Sequence, residues 1–211
     1  MEYLLENILN MIGFLVGISV GLVSFFGYKN TGSPVLFRMS IAFLSIGIGF
    51  FIIWMGYLFK DLLLHQDHID RSVQTLGIAV QTIGYFFIAF SHGIKLFFPK
   101  NRALRSVAAF PLLISGTHIE HVLRSVSFIF LVYGAIETIL SYANTKKKSV
   151  FFVAGGLTML AFGEFIAWYS VLFPESSLYN ISVLIKIAGL ISLFIPVGRV
   201  SLRRVSMNKS G

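Results

Sequence analysis

Two oppositely charged side chains stand inside apolar stretches of the sequence, where ionisable residues are rare. Glu164 lies in the apolar segment 150–173, and Lys186 lies in the next one, 178–200. Each charge alone costs at least ~2.5 kcal/mol at the centre of a membrane, so we expect the two to face each other at similar depth. Such a pair can lock two helices together, or it can act as a gate, a proton relay or the counter-charge of a ligand.

Other polar residues extend this set of candidate intramembrane groups. They are Gln74, Gln81, His92 and Glu137. We expect His92 and Glu137 nearer the cytoplasmic side, where they can reach the interface or bond to a neighbouring helix.

Four of the five histidines form two short HxxH pairs that carboxylates flank. The set consists of His65, Asp67, His68, His118, Glu120 and His121. On a helical turn, an i, i+3 pair points both imidazoles one way, which suits Zn or Cu(II). The alternative is that these are ordinary polar residues of wet loops and helix caps. The pairs predict a candidate metal site on the outer side of the membrane.

The sequence lacks the motifs of several common enzyme classes. The HExxH order, the GxSxG elbow and the phosphate loop do not occur. No cysteine is present, which excludes disulfides, thiolate metal sites and cysteine nucleophiles. We therefore expect a protein without catalytic activity. The net charge of +8 has a simpler origin in membrane topology than in nucleic-acid binding.

The elements that position these residues are helices in a lipid bilayer. Of the 211 residues, 56% are hydrophobic and 12% are charged, and soluble domains carry about twice that charge. Long apolar segments fall at about 8–27, 36–59, 73–98, 122–142, 150–173 and 178–200. A shorter one, 103–118, contains Pro111. The sequence predicts an all-α, polytopic membrane protein in which residues 1–211 form a single transmembrane domain.

The distribution of charge favours seven crossings over six. With seven, most of the basic residues, including Lys146, Lys147 and Lys148, fall on one side, and most of the acidic residues fall on the other. Because Lys and Arg in short loops remain in the cytoplasm, this predicts a plasma-membrane protein with its N-terminus outside and its C-terminus inside. The alternative has six helices, with 103–118 as a short re-entrant or interfacial segment.

One stretch of the sequence occurs twice at a constant offset of 114 residues. The matched residues are Tyr28, Asn30, Thr31, Gly49 and Trp54 in the first copy, and Tyr142, Asn144, Thr145, Gly163 and Trp168 in the second. A shared register of this kind indicates an internal duplication. The predicted repeats cover 8–98 and 122–200, and 103–118 is the connector helix that gives both three-helix units the same orientation.

This 3+1+3 plan resembles the sugar-transporting SWEET family and, more loosely, the seven-helix rhodopsins. The resemblance is one of topology, without a shared motif. Rhodopsins bind retinal as a Schiff base on a lysine of the last helix. Lys186 is the only matching position here, and only Glu164 could replace the usual counterion.

The first apolar segment carries a strip of glycines four residues apart. Gly13, Gly17 and Gly21 form a double GxxxG, on which a neighbouring backbone can approach closely. The strip predicts a packing face within the bundle, with a dimer face as the alternative.

Three classes of function follow from these features. A small-solute or ion/proton-coupled carrier would use the repeat interface and the Glu164/Lys186 pair at the bundle midplane. A sensor would bind a ligand or metal on the outer histidine face and signal through a membrane-protein partner. A structural subunit would join a larger membrane complex or a homo-oligomer. The carrier is the first prediction, and retinal binding through Lys186 is a remote alternative.

Overall fold

The computed structural model describes residues 2–63, 67–92, 119–172 and 176–207. Within these ranges the chain forms six α-helices and no strand. They are α1 (Glu2–Thr31), α2 (Pro34–Leu63), α3 (Asp67–His92), α4 (Ile119–Thr145), α5 (Lys148–Leu172) and α6 (Ser176–Met207). Each contains a span long and apolar enough to cross a membrane. The predicted class, an all-helical, multi-pass membrane protein, is confirmed.

The number of these helices differs from the predicted seven. The described ranges hold six, and that count fits the alternative prediction. The segment 103–118, predicted as the connector helix, lies outside the described residues.

The six helices form a closed ring in which neighbours along the chain are neighbours in space. The ring runs from α1 to α6 in order, and α6 packs against α1 to close it. Side chains such as Phe43, Phe50, Leu131, Leu160 and Leu193 fill the core and are fully buried. Many Leu, Ile and Phe side chains on the outer surface are exposed, as a surface that contacts lipid requires.

Two tight turns define one end of the bundle, called the turn end below. Gly32 connects α1 to α2 with a φ of 67°, and Lys146 connects α4 to α5 with a φ of 53°. The amide of Gly32 donates to the carbonyl of Tyr28, and the amide of Lys146 donates to the carbonyl of Tyr142, at 2.7 and 2.8 Å. Left-handed residues commonly end helices in this way, usually as glycine. The two turns have the same geometry at positions 114 residues apart.

The glycine strip of α1 faces α2. A Cβ on Gly17 would lie 2.7 Å from the Cα of Gly47, and one on Gly13 would lie 2.9 Å from the ring of Phe50. Gly21 faces Leu44 in the same way. The strip therefore lies inside the bundle and lets the backbones of α1 and α2 touch.

Helices α3 and α4 run in the same direction. The Thr82 hydroxyl lies 2.8 Å from that of Ser127, and the ring of Phe86 packs edge-on against that of Phe130 at 5.6 Å. The residue numbers of the contacting positions therefore increase together along both helices. In an antiparallel pair, the numbers would increase along one helix and decrease along the other. As a result, α3 ends at the turn end and α4 begins at the opposite end. The remaining sequential neighbours are antiparallel, so α6 also runs parallel to α1.

The α2–α3 and α5–α6 pairs make corresponding contacts. A Cβ on Gly49 would collide with Cγ of Gln81, and one on Gly163 would meet Cγ of Lys186 at 2.7 Å. Further along, Gly84 faces Ile46, and Gly189 faces Leu160. The positions in α5 lie 114 residues after those in α2, and the positions in α6 lie 105 residues after those in α3. The two helix pairs thus pack in the same register.

Candidate functional site

The structure brings Glu164 and Lys186 into contact. Nζ of Lys186 on α6 lies 2.6 Å from Oε1 of Glu164 on α5, and both side chains are buried. Gly163 permits this approach, because any side chain there would collide with the stem of Lys186.

Arg124 on α4 belongs to the same network. Its Nη1 lies 3.8 Å from Oε2 of Glu164, and its Nε and Nη2 donate to Oε1 of Glu120 at 3.1 and 3.0 Å. Negative and positive charges therefore alternate from Glu120 through Arg124 and Glu164 to Lys186, and the net charge of these four groups is zero. Sequence reasoning missed Arg124. The signal was a basic residue four positions after an acid at the start of an apolar segment.

Tyr85 on α3 provides a further contact to the carboxylate. Its hydroxyl donates to Oε1 of Glu164 at 3.1 Å, and the side chain is fully buried. The carboxylate thus contacts groups from three other helices. Sequence reasoning missed this tyrosine, because an aromatic residue in an apolar segment usually packs in the core.

The two carboxylate oxygens of Glu164 differ in their environment. Oε1 receives both the Lys186 ammonium and the Tyr85 hydroxyl. Within the described ranges no group donates a hydrogen bond to Oε2, which Arg124 approaches only at ion-pair distance. An ionised carboxylate can accept about four hydrogen bonds, so Oε2 retains capacity to bind a proton or a ligand donor.

A second group of polar side chains lies at the same end of the bundle. The Tyr179 side chain on α6 lies beside the side chains of Asn10 and Tyr57. Asn10 is fully buried and donates to the carbonyl of Glu6 at 2.8 Å. Gln74, a predicted intramembrane residue, donates to the hydroxyl of Tyr57 at 3.0 Å. These contacts connect α1, α2, α3 and α6.

Gln81 and Phe50 occupy the positions of the first half that match Lys186 and Glu164. Both are buried, and Gln81 packs on Gly49 as Lys186 packs on Gly163. The Nε2 group of Gln81 has no hydrogen-bond acceptor among the described residues. Neutral residues therefore stand at the positions that carry the ion pair in the second half.

Glu137 and His92 lie apart from the network. Glu137 is near the C-terminal end of α4 and lines a cleft at the turn end. His92 is the last residue of α3, and its side chain lies outside the described part of the structure.

Most of the predicted metal site lies outside the described side chains. His65 and His118 lie outside them, and of Asp67 and His68 only the helical backbone at the start of α3 is described. Glu120 binds Arg124, and His121 is buried on α4. Across residues 2–63, 67–92, 119–172 and 176–207, no three His, Asp or Glu side chains group as metal ligands would. The site for Zn or Cu stays a prediction, as does retinal on Lys186.

The fold defines the class, a multi-pass, all-helical membrane protein. No protein-family model matches the sequence, no curated protein matches it, and no solved structure matches the fold. We therefore argue function from the geometry of the charged network.

Proposed function

We propose that the protein is a small-solute or ion/proton-coupled carrier of the plasma membrane, and that Glu164 binds the coupling proton or ion. The supporting observation is the position of this carboxylate, which is buried where α3, α4, α5 and α6 meet, with Lys186, Arg124 and Tyr85 around it. Ionisable residues inside membrane bundles mark ion pathways and proton relays.

The carrier would consist of two three-helix units of common origin, α1–α3 and α4–α6. The corresponding turns at Gly32 and Lys146, and the corresponding contacts at Gly49 and Gly163, support this duplication. Units of equal orientation are related by an axis along the membrane normal, and carriers of this kind bind their substrates at the interface of the repeats. The contact of Tyr85 with Glu164 crosses that interface.

The difference between the two units favours a functional role for the charges. Phe50, Gln81 and Asn10 stand where the second unit has Glu164, Lys186 and Arg124. The α2–α3 pair packs in the same register without ion pairs, so the scaffold does not need them. Burying an ion pair for packing alone brings little stability over apolar residues of similar volume.

The network suggests how occupancy of Glu164 would couple to movement. When the carboxylate takes up a proton, Lys186 and Arg124 lose the negative charge between them, and two like charges remain in a poorly solvated space. The Tyr85 hydroxyl loses an anionic acceptor at the same time, which weakens the contact between α3 and α5. The first change loosens the packing within α4–α6, and the second favours separation of the two units.

The proposed topology has seven crossings, with the N-terminus outside. In support of a further crossing, α3 ends at the turn end and α4 begins at the opposite end. A helix over 103–118 would be about 24 Å long, about 6 Å shorter than the hydrocarbon core and near the lower length limit for a crossing. Lys29 and Lys146–Lys148 at the turn end favour the cytoplasm for that end.

Proteoliposomes with a proton gradient would test the carrier. A panel of sugars, amino acids and monovalent cations is added outside, and the internal pH is followed with a dye. We expect at least one solute to accelerate decay of the gradient with the wild-type protein, and Glu164→Gln to return the rate to that of empty vesicles. Gln81→Leu is the matched control, because it changes the corresponding position of the first unit and should keep the activity.

Two results would contradict the carrier proposal. One is that no solute in the panel changes the rate with the wild-type protein. The other is full activity in a Glu164→Gln protein that is monodisperse and has the wild-type helix content. The proposal involves no catalytic step, and it requires neither a membrane-protein partner nor a homo-oligomer.

A further inference from the structure

A cleft at the turn end of the bundle is separate from the Glu164 network and combines a few polar side chains with a larger apolar surface. It lies between α4, α5 and α6 and has a volume of about 450 Å³. Its walls include Glu137, Thr138, Ser141, Ser149, Val150 and Pro196. Several fully buried leucines, among them Leu131, Leu157 and Leu193, fill the core of the same three helices.

Glu137 is the charged residue of this cleft. It lies eight residues before the end of α4, about 12 Å along the helix, and is half-buried. Glu120 and Glu164 pair with Arg124 and Lys186, whereas no cation within the described ranges pairs with Glu137. A carboxylate at this position either reaches the interface or binds a polar partner, and the cleft leaves room for such a partner.

The other walls of the cleft combine hydroxyl groups with an apolar surface. Ser141 and Ser149 are exposed, and the Thr138 hydroxyl donates to the carbonyl of Gly134 at 2.7 Å, which leaves its oxygen free to accept. Val150 and Pro196 form the apolar part. One carboxylate, neutral acceptors and an apolar wall match a cation that has hydrogen-bond donors and a hydrocarbon body.

The first unit has no counterpart of this carboxylate. Val23 stands at the position of Glu137, and Ser91 at that of Pro196. The Ser91 hydroxyl lies 3.6 Å from the sulfur of Met39, so side chains of α2 and α3 are in contact there. Glu137, like the charged network around Glu164, is therefore present in the second unit and has no charged counterpart in the first.

We propose that this cleft binds a primary alkylammonium group. The ammonium binds the Glu137 carboxylate and the neighbouring hydroxyl oxygens, and its hydrocarbon part lies against Val150 and Pro196. The ligand is either a free amine or the headgroup of an ethanolamine lipid, since both carry this group. The site does not depend on carrier activity or on proton uptake by Glu164.

Thiol labelling can test this site, because the chain has no cysteine of its own. Ser141→Cys places a single thiol at the cleft, and Asn144→Cys places one on an exposed residue outside it. Both proteins are reconstituted in phosphatidylcholine vesicles and labelled with a neutral maleimide. n-Butylammonium is added in one arm, and an ethanolamine lipid is included in the vesicles in the other.

We expect labelling at Ser141→Cys to slow in at least one arm, while labelling at Asn144→Cys stays unchanged. Protection in the first arm identifies a free amine as sufficient, and protection only in the second identifies the lipid headgroup. Adding Glu137→Gln should raise the protecting concentration by about tenfold or more, since a charge-assisted hydrogen bond is lost. Tetramethylammonium, which has no N–H donor, should protect less.

Two further variants separate this site from folding and from the carrier. Val150→Trp fills the cleft without changing a charge and should also remove the protection. Glu164→Gln should leave the protection by the amine or lipid intact. The proposal for the cleft and the proposal for the carrier can therefore be contradicted independently. Absence of protection in both arms, or full protection in a folded Glu137→Gln protein, would overturn the proposal.

Discussion

The hydroxyl of Thr82 on α3 lies 2.8 Å from the hydroxyl of Ser127 on α4, in a buried contact between two helices that run in the same direction. This hydrogen bond joins the last helix of one half of the ring to the first helix of the other. The neighbouring contact of Tyr85 with Glu164 also crosses between the halves. These two polar contacts between α3 and the helices α4–α6 therefore lie beside the charged network.

The Lys186–Glu164 pair should be strongly coupled in stability. Lys186→Met leaves the buried carboxylate with the more distant Arg124 and the Tyr85 hydroxyl, and removing one partner of a buried pair typically costs about 3–5 kcal/mol. The double change Glu164→Gln/Lys186→Met should cost less than the sum of the two single changes. Unfolding in detergent, followed by helix content, measures all three variants. Additive effects would mean that the two groups do not interact.

The glycine contact between α1 and α2 should tolerate no side chain. In Gly17→Ala the new methyl group would meet the backbone of Gly47 at 2.7 Å, so the helices must separate and lose packing. Gly155→Ala is the control, because no atom of the described residues outside its own helical turn lies within 4 Å of its added methyl group. We expect a lower melting temperature for the first and no loss for the second, which gains up to about 1 kcal/mol of helix propensity. Equal melting temperatures would count against the contact.

The two tight turns should lie on the same side of the membrane. Asn30→Cys and Asn144→Cys place single thiols beside the turns, at exposed positions 114 residues apart. With seven crossings, an impermeant maleimide should reach both only after the cytoplasmic side is opened, and a tag before Glu2 should be accessible from outside. Labelling of the two thiols from opposite sides would support six crossings and exclude the proposed path between α3 and α4.

The histidine pairs predict a bound metal that elemental analysis can detect. Zn or Cu should copurify with the wild-type protein and be lost in His65→Ala/His118→Ala, because a site with half its imidazoles removed binds metal weakly. Glu137→Gln, which lies at the other end of α4, is the control and should keep the metal. A metal-free wild-type protein whose melting temperature does not change on adding Zn or Cu would remove this prediction.

Prediction from the sequence worked best where a single physical effect decides the structure. Long apolar segments have to be helical in lipid, so the spans could be placed, although α1 extends into polar residues at both ends and α2 does so at its C-terminal end. Glu164 and Lys186 could be paired because two charges at similar depth on neighbouring helices have few other partners. Arg124 and Tyr85 were missed because their roles depend on how the two halves pack together. The parallel direction of α3 and α4 agrees with the equal orientation of the two three-helix units that the charge distribution and the repeat led us to expect.

The parallel course of α1 and α6 limits how this chain could be rearranged. The two helices are neighbours in the ring, yet Glu2 lies at the opposite end of the bundle from Met207. A circularly permuted protein could not join its original termini with a short linker, since the linker would have to pass along the whole length of α1. A tolerated permutation would need a membrane-spanning linker, such as an added apolar helix of about 20 residues.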